Sequence, residues 1–546
     1  MADAKFDAVI VGGGNKALVT AMYLAKYGGM KIGVFESRHE LGGGWGSAEL
    51  PLPGFLHDTH SSVHYGHYYH GPLWEDFPDW EEKGAKYIIP GEAAKANIYK
   101  EDHSCLIFYN KTSDPDQERT AQGIARFSQK DADTWLHWWN LWNKKIRPAY
   151  LQTLFNPAPP PGEPTPMDKV LAEPDIAIEP IWKVYPGIQF VKDVFDSSEM
   201  HSWCLKSMRG HSGMPPDYPT GGLVLFITMF IMPEMGFIKG GGHQLTHASM
   251  RVISENGGEF FTNSPVERVI IVNGKARGIR LVDGTEVEAT KAVISTMNPY
   301  DLCFNLIGEE YLSDKIKRRV RAIIRHLGTI TWNGWAVHEK AQWKAADFNP
   351  DINNVFSVNL VNKDPDQLAR EYAWRTLKKF PPPEDTPSLF ICHSMWDETR
   401  APAGKHKYTS ETFSIPADAI SEREWLEFKK QKVITEQAIW QEYAPNMTWD
   451  KIIDCYVCSP YDTRRLITTG PSGEEHIISD PPSQIGSFRP IPELARHRTP
   501  IKNLYATGTG WPPKGLAASW QGYNCYKIMS EDYDLRKPWE EKGRSY

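Results

Sequence analysis

The chain has 546 residues, 41% of them hydrophobic and 24% charged, a balance that excludes wholesale disorder and leaves room for more than one core. With 61 Lys plus Arg against 68 Asp plus Glu the net charge is −7, which gives no bulk attraction for nucleic acid or an anionic membrane. Seven cysteines spread over so long a chain do not make a disulfide scaffold, and the polar residues 1–5 are followed by no export-type segment, so a reducing, cytoplasmic setting is expected.

Ala8-Val9-Ile10-Val11 is a β-branched run suited to a buried parallel strand. Gly12-Gly13-Gly14-Asn15-Lys16-Ala17 follows at once, then a helical stretch over 18–27, then a second strand over 31–35 that ends in Glu36. This is G-x-G-x-x-G/A between strand and helix, with an acid closing the next strand: the arrangement that seats a dinucleotide. Gly12 permits the tight turn, and Gly14 lets backbone N–H groups approach a pyrophosphate at the positive end of the helix. Ala17 is small enough for close helix–strand packing, and Glu36 can accept from a ribose diol. Past Glu36 and Arg38 comes a second glycine cluster, Gly42-Gly43-Gly44-Trp45-Gly46, which resembles the extended FAD fingerprint of the glutathione-reductase-like flavoproteins and separates FAD from NAD. No second strand–glycine–helix unit of this kind occurs, so a separately bound NAD is not expected.

Five histidines, His57, His60, His64, His67 and His70, recur every three or four residues after that fingerprint. Carboxylate and thiolate company for a metal site is thin, with Asp58 alone nearby, so no metal is expected. Structural or surface roles compete with proton transfer near neutral pH. Trp135, Trp138, Trp139 and Trp142 share one helical face, either an ordinary buried stripe or the wall of an apolar channel. Residues 157–166 are proline-rich and read as a loop. The longest apolar run, 223–232, is half a membrane span and reads as a core helix, a channel lining or a surface resting on a membrane. Gly240-Gly241-Gly242-His243 opens a helix that Gly257-Gly258 ends. Strands and hairpins then run through Val266, Asn273-Gly274 and Asp283-Gly284 to 292–299. Residues 329–337 read as a strand, as do residues 452–458, so Cys455 and Cys458 are not placed to wrap zinc. Asn503-Leu504-Tyr505-Ala506-Thr507-Gly508 and Gly515-Leu516-Ala517 close the pattern.

Taken in order, these segments resemble the phytoene-desaturase-like branch of the flavin amine oxidase superfamily, specifically at the two ends and around 240–300, and loosely over 100–220 and 330–470. The resemblance implies an α/β fold: a Rossmann-like FAD-binding domain from 1–95, 240–325 and 475–546, interleaved with an α+β substrate-binding domain from 96–239 and 326–474. It places Gly12, Gly14, Asn15, Lys16 and Ala17 at the pyrophosphate, and Glu36 and Arg38 at the adenosine ribose. Gly43, Gly44 and Trp45 would run towards the flavin, Val266 would pair its backbone with adenine, and Gly508 would return to the phosphates. Leu516 and Ala517 would open the last helix beneath the isoalloxazine. His60 and His57 would stand beside the flavin as candidate proton-transfer residues. Two departures stand out: Lys16 inside the phosphate turn, where its charge suits a pyrophosphate, and Thr509 where related flavoproteins often carry an acid.

The implied reaction is dehydrogenation of an apolar terpenoid, carotenoid-like or alicyclic substrate, with hydride passing to flavin N5 and a neighbouring proton removed. Oxygen, a quinone or a redox partner would reoxidise the flavin, and peripheral membrane contact stays open. The alternatives are a saturase or isomerase of a C=C bond, an amine oxidase, and, outside catalysis, a lipid carrier like the Rab GDP-dissociation inhibitors. An intact FAD cradle argues against the last.

Overall fold

The computed structural model describes residues 3–467 and 469–546. The β-branched run forms the strand Ala4–Val11, whose last four residues are buried. It lies inside a seven-stranded sheet ordered Val266–Val272, Lys275–Leu281, Glu286–Ser295, Ala4–Val11, Ile32–Phe35, Glu259–Phe261, with Leu504–Ala506 also pairing with Glu286–Ser295. Val9 sits opposite Val293 on one side and Gly33 on the other, both in parallel register. Parallel strands buried on two faces need continuous apolar runs, as residues 8–11 and 292–294 supply. The helix Asn15–Lys26 starts directly at the carboxyl end of the first strand and buries eleven of its twelve residues against helices His243–Glu255 and Trp520–Tyr533. This places its N-terminus in the crevice outside the strand ends, where ligands of such sheets bind.

A second seven-stranded sheet runs Ile452–Cys458, Ile330–Val337, His406–Phe413, Ser388–Ile391, Val355–Val361, Ala93–Tyr99, Cys105–Tyr109. The strand Ala93–Tyr99 lies wholly in this sheet, crossing the division expected at residue 95. Alternation sorts its two faces. One carries Trp335, Phe390 and Tyr408, which pack on Trp440 of the long helix Glu422–Tyr443 with ring centroids 5.6, 4.9 and 4.9 Å away. The other carries Lys95, Asn97, Ser357, Asn359, Thr409 and Glu411 in adjacent registers.

The tryptophan stripe falls on the helix Gln129–Leu141 and the turn after it. All four indoles are buried in the main core, Trp135 stacking on Phe230 at 4.9 Å and meeting Phe108 edge-on at 4.9 Å. The buried-stripe reading therefore holds. Residues 223–232 likewise turn inward as the helix Gly222–Thr228 and the tight turn Met229–Glu234. Among the described residues no helix is long and apolar enough to cross a membrane.

Candidate active site

The glycine-rich turn opens onto a crevice of about 480 Å³ lined by Gly12, Gly14, Glu36, Arg38, Gly43, Val266, Thr296, Met297 and His60, among others. It continues into a 200 Å³ cavity walled by Asn15, Lys16, Gly44, Thr509, Leu516, Ala517 and, again, Gly14, Gly43 and His60. Gly508 reaches this second cavity at φ +127°, its carbon pressed towards the Thr296 carbonyl. Val266 and Glu36 lie at the crevice end and Gly508 and Leu516 at the other, so the expected cofactor residues converge on one elongated space.

Both Glu36 oxygens are already engaged. One accepts from Gly13 N–H at 2.7 Å and the other from Arg38 N–H at 2.8 Å, so the carboxylate braces the turn. A Cβ on Gly14 would meet no protein atom within 4 Å, so that flank is open in the folded chain. The Asn15 amide nitrogen beside it is buried without a partner, and Gly14 caps the helix with no side-chain hydrogen bond. Unmet donors at a helix N-terminus along a 480 Å³ crevice fit an adenine dinucleotide.

Four expected cofactor residues sit differently from the sequence reading. Lys16 turns its amine to the Leu516 carbonyl at 2.6 Å, and burial with repulsion from Arg489 drives its pKa well down, so it ties two segments together instead of offering a charge to phosphate. Trp45 lines neither cavity: its ring is buried near His70 and Trp80, and its N–H donates to the Ala517 carbonyl at 2.7 Å. Leu516 and Ala517 precede the last helix, which begins at Trp520. Their carbonyls are taken by Lys16 and Trp45, side chains from the phosphate turn and the second glycine cluster, which holds the segment as a loop. Ala17 is fully buried in the helix packing, away from the crevice wall.

Of the two histidine candidates, His60 borders the crevice, the second cavity and a third chamber of about 140 Å³. Its Nδ1 lies 3.2 Å from Thr59 Oγ1, its Nε2 has no partner, and burial together with Arg38 lowers its pKa to about 4, leaving a neutral imidazole. His57 lines none of these spaces. It is buried with both ring nitrogens unpartnered, within 3.0 Å of where a Cβ on Gly334 would stand. The adjacent Asp58 accepts from Arg400 (3.0 Å), Gly242 N–H (2.7 Å) and Ser47 (2.8 Å), joining this strand to the loop 240–242. His64 and His70 are linked at 3.0 Å, with His70 reaching Ser519 at 2.7 Å. The recurrence of histidines is thus mostly packing and buried hydrogen bonding.

The chamber shares His60, Ser61, Ile330, Glu411, Glu475, Leu516 and Ala517 with the second cavity, so molecules in the two spaces would touch. Its remaining walls are Val63, Leu389, Ile391, Met235 and Phe413, two tyrosines, Tyr65 and Tyr69, and the amines of Lys95 and Lys206. Burial pushes the Glu475 carboxyl up to about 8, eased by His476. Lys95, Lys206, Glu411 and Glu475 escaped the sequence reading. A signal for two of them was present: polar residues at every second position of the otherwise buried strands 93–99 and 406–413, which places Lys95 with Asn97 and Thr409 with Glu411 on one face.

Residues 10–79 match the family described as NAD(P)-binding Rossmann-like domain, and residues 195–413 match flavin containing amine oxidoreductase. The chain is 22% identical to a limonene dehydrogenase protein of Castellaniella defragrans, over 98% of this chain and 96% of that protein. It is 38% identical to the zeta-carotene-forming phytoene desaturase of Myxococcus xanthus over 51% of this chain and 48% of that one. Among solved structures, an oxidoreductase from Methanosarcina mazei superposes with a TM-score of 0.59 at 16% identity, covering 96% of this chain and all of the other, and shares its fold.

Proposed function

We propose that this chain, which belongs to the phytoene-desaturase-like branch of the FAD-dependent flavin amine oxidase superfamily, dehydrogenates a small alicyclic or monoterpenoid substrate. It is an FAD-dependent oxidoreductase. FAD, when bound, supplies the hydride acceptor. Gly12, Gly14 and Asn15 would hold its pyrophosphate, Glu36 and Arg38 its ribose, and Gly44, Gly508, Leu516 and Ala517 its ring.

The observation that carries the reading is the 140 Å³ chamber sharing a wall with the cavity at the far end of the dinucleotide crevice. An apolar protein cavity of about 150 Å³ accommodates benzene, so this chamber suits a single ring and is too small for a carotenoid chain or a prenyl group. The size argues against a lipid carrier. A protonated amine would face Lys95 and Lys206, which argues against an amine oxidase.

Two groups border both spaces and can move a proton. His60 stays neutral and offers an unpartnered Nε2. Glu475 titrates at about 8, suited to a proton acceptor whose strength rises just above neutrality. We assign the acceptor role to Glu475 and a hydrogen-bonding role to His60. Anaerobic titration of the yellow holoenzyme with limonene and cyclic compounds of similar size tests the function. Bleaching of the flavin by substrate alone is expected. A flavin that stays oxidised, in an enzyme that when chemically reduced saturates a C=C bond, would reverse the assigned direction.

A further inference from the structure

The inner face of the second sheet is polar where a hydrocarbon pocket has no use for polarity. Lys95 lies on the strand Ala93–Tyr99 opposite Ser357, and Lys206 comes from the helix Ser198–Ser212. They are 6% and 5% exposed, and both line the 140 Å³ chamber. No ion pair within 4.0 Å joins either to a carboxylate among the described residues. Neighbouring cations are treated differently. Arg209 pairs with Glu371, and Lys407 donates to His393 Nδ1 at 2.9 Å and Thr409 at 2.8 Å. Burying an unpaired ammonium costs several kcal/mol, and two in one small space repel each other besides. The charge they await is not supplied by the protein.

From this geometry we infer that the chamber takes an alicyclic or monoterpenoid carboxylate, its acid group held by Lys95 and Lys206 and its ring against Val63, Ile330, Leu389 and Ile391. The inference rests on the dehydrogenase reading and narrows its substrate class. Electrostatics support it. Burial and mutual repulsion lower Lys95 to about 7, and burial with Arg209 lowers Lys206 to about 8, so an arriving anion would restore both charges. The two acids of the chamber are not rivals for the lysines. Burial raises Glu411, and Glu475 is pushed up to about 8, so near neutrality they lean towards their protonated, donating forms.

The test is equilibrium binding to the FAD-loaded enzyme, followed by flavin absorbance and titration calorimetry, with cyclohexanecarboxylate, its carboxamide and methylcyclohexane as probes. The carboxylate is expected to bind about ten-fold more tightly than the other two, the scale of one charge-assisted hydrogen bond. Lys95→Met and Lys206→Met should each weaken it by about ten-fold or more and leave methylcyclohexane within about two-fold. Equal affinity for the three probes overturns the inference, and the wild-type comparison needs no variant. Losses shared by acid and hydrocarbon in both variants overturn it too. Anaerobic bleaching distinguishes this failure from that of the parent reading. A flavin bleached by cyclic hydrocarbons but indifferent to acids sinks the carboxylate site alone. Lysine-dependent binding of the acid beside a flavin that no probe bleaches leaves the site standing and sinks the dehydrogenase.

Discussion

Gly12 and Gly14 stand two residues apart in the same turn and answer to different constraints. Gly12 has φ +89° and a Cβ there would lie 2.5 Å from Thr296 Oγ1, itself bonded to the Val11 carbonyl at 2.9 Å. Gly14 has φ −69° and open space around its missing Cβ. Gly12→Ala is therefore expected to destabilise the apoprotein by about 1–3 kcal/mol through backbone strain and crowding. Gly14→Val should cost the apoprotein about 1 kcal/mol, from a poorer helix cap, yet yield a colourless protein, because its side chain fills the cradle. Denaturant unfolding read beside the flavin spectrum checks both, and a yellow Gly14→Val protein would contradict the cradle. Glu475 makes a second, pH-dependent case. As proton acceptor it works ionised, so the flavin-reduction rate should climb with pH through about 8 and level off above. Glu475→Gln should remove that limb and lower the plateau by about 10²-fold or more. Stability runs the opposite way. A carboxyl raised from 4.5 to about 8 keeps its proton longer in the folded state, so its contribution is complete below about 4.5 and is lost as pH rises through 8. Glu475→Gln should accordingly melt higher relative to wild type at pH 9 than at pH 5.

At the scale of elements, what sequence disclosed and what it hid divide along a physical line. Residues 8–11, 266–272 and 286–295 announced strands, because a buried parallel or hairpin strand needs β-branched runs bounded by turn glycines, all local properties. The helix His243–Glu255 was marked by glycines at both ends. The segment 515–519 was not legible, since its conformation is set by remote donors, Lys16 to Leu516 and Trp45 to Ala517, some 470 to 500 positions away. Nor was the chamber, whose charged lining comes from two strands, a helix and a loop that meet only in the folded chain. The tryptophan stripe had the right period for either a core or a channel, and period alone does not say which surface packs against it. The loop's dependence on distant ties predicts the effect of Trp45→Phe. Removing the indole N–H leaves the Ala517 carbonyl unsatisfied, a loss of about 1–3 kcal/mol in unfolding free energy. Because Ala517 borders both the flavin cavity and the chamber, the substrate-driven bleaching rate should fall more than FAD affinity does. Stopped-flow absorbance and FAD titration separate the two, and equal losses would show that the tie acts through cofactor binding alone.

For the molecule as a whole, the crevice and the cavity it opens into are bounded by segments scattered from residue 11 to residue 517: the turn at 12–16, residues 36–46, Val266, residues 296–298, Gly508 and the loop at 516–517. Trp332, Tyr456 and Ile467 of the second sheet and its following helix close the same space from the other side. A ligand filling it touches both sheets at once, so it acts on folding as a cross-link between units that otherwise meet across open volume. Mass action fixes the scale. A ligand that binds only the folded chain, at a hundred times its dissociation constant, adds about 2.7 kcal/mol to the unfolding free energy. FAD at that excess should therefore move the unfolding transition upward by this amount and sharpen it, as the two sheets come to melt together. Gly14→Val provides the control. Its transition should stay where the apoprotein's lies at every FAD concentration, since its cradle is filled from within. Calorimetric scans of wild type and variant over a range of FAD concentrations measure both outcomes. A wild-type transition indifferent to FAD, or a variant that shifts in step with it, would mean that the dinucleotide lies elsewhere than between the two sheets.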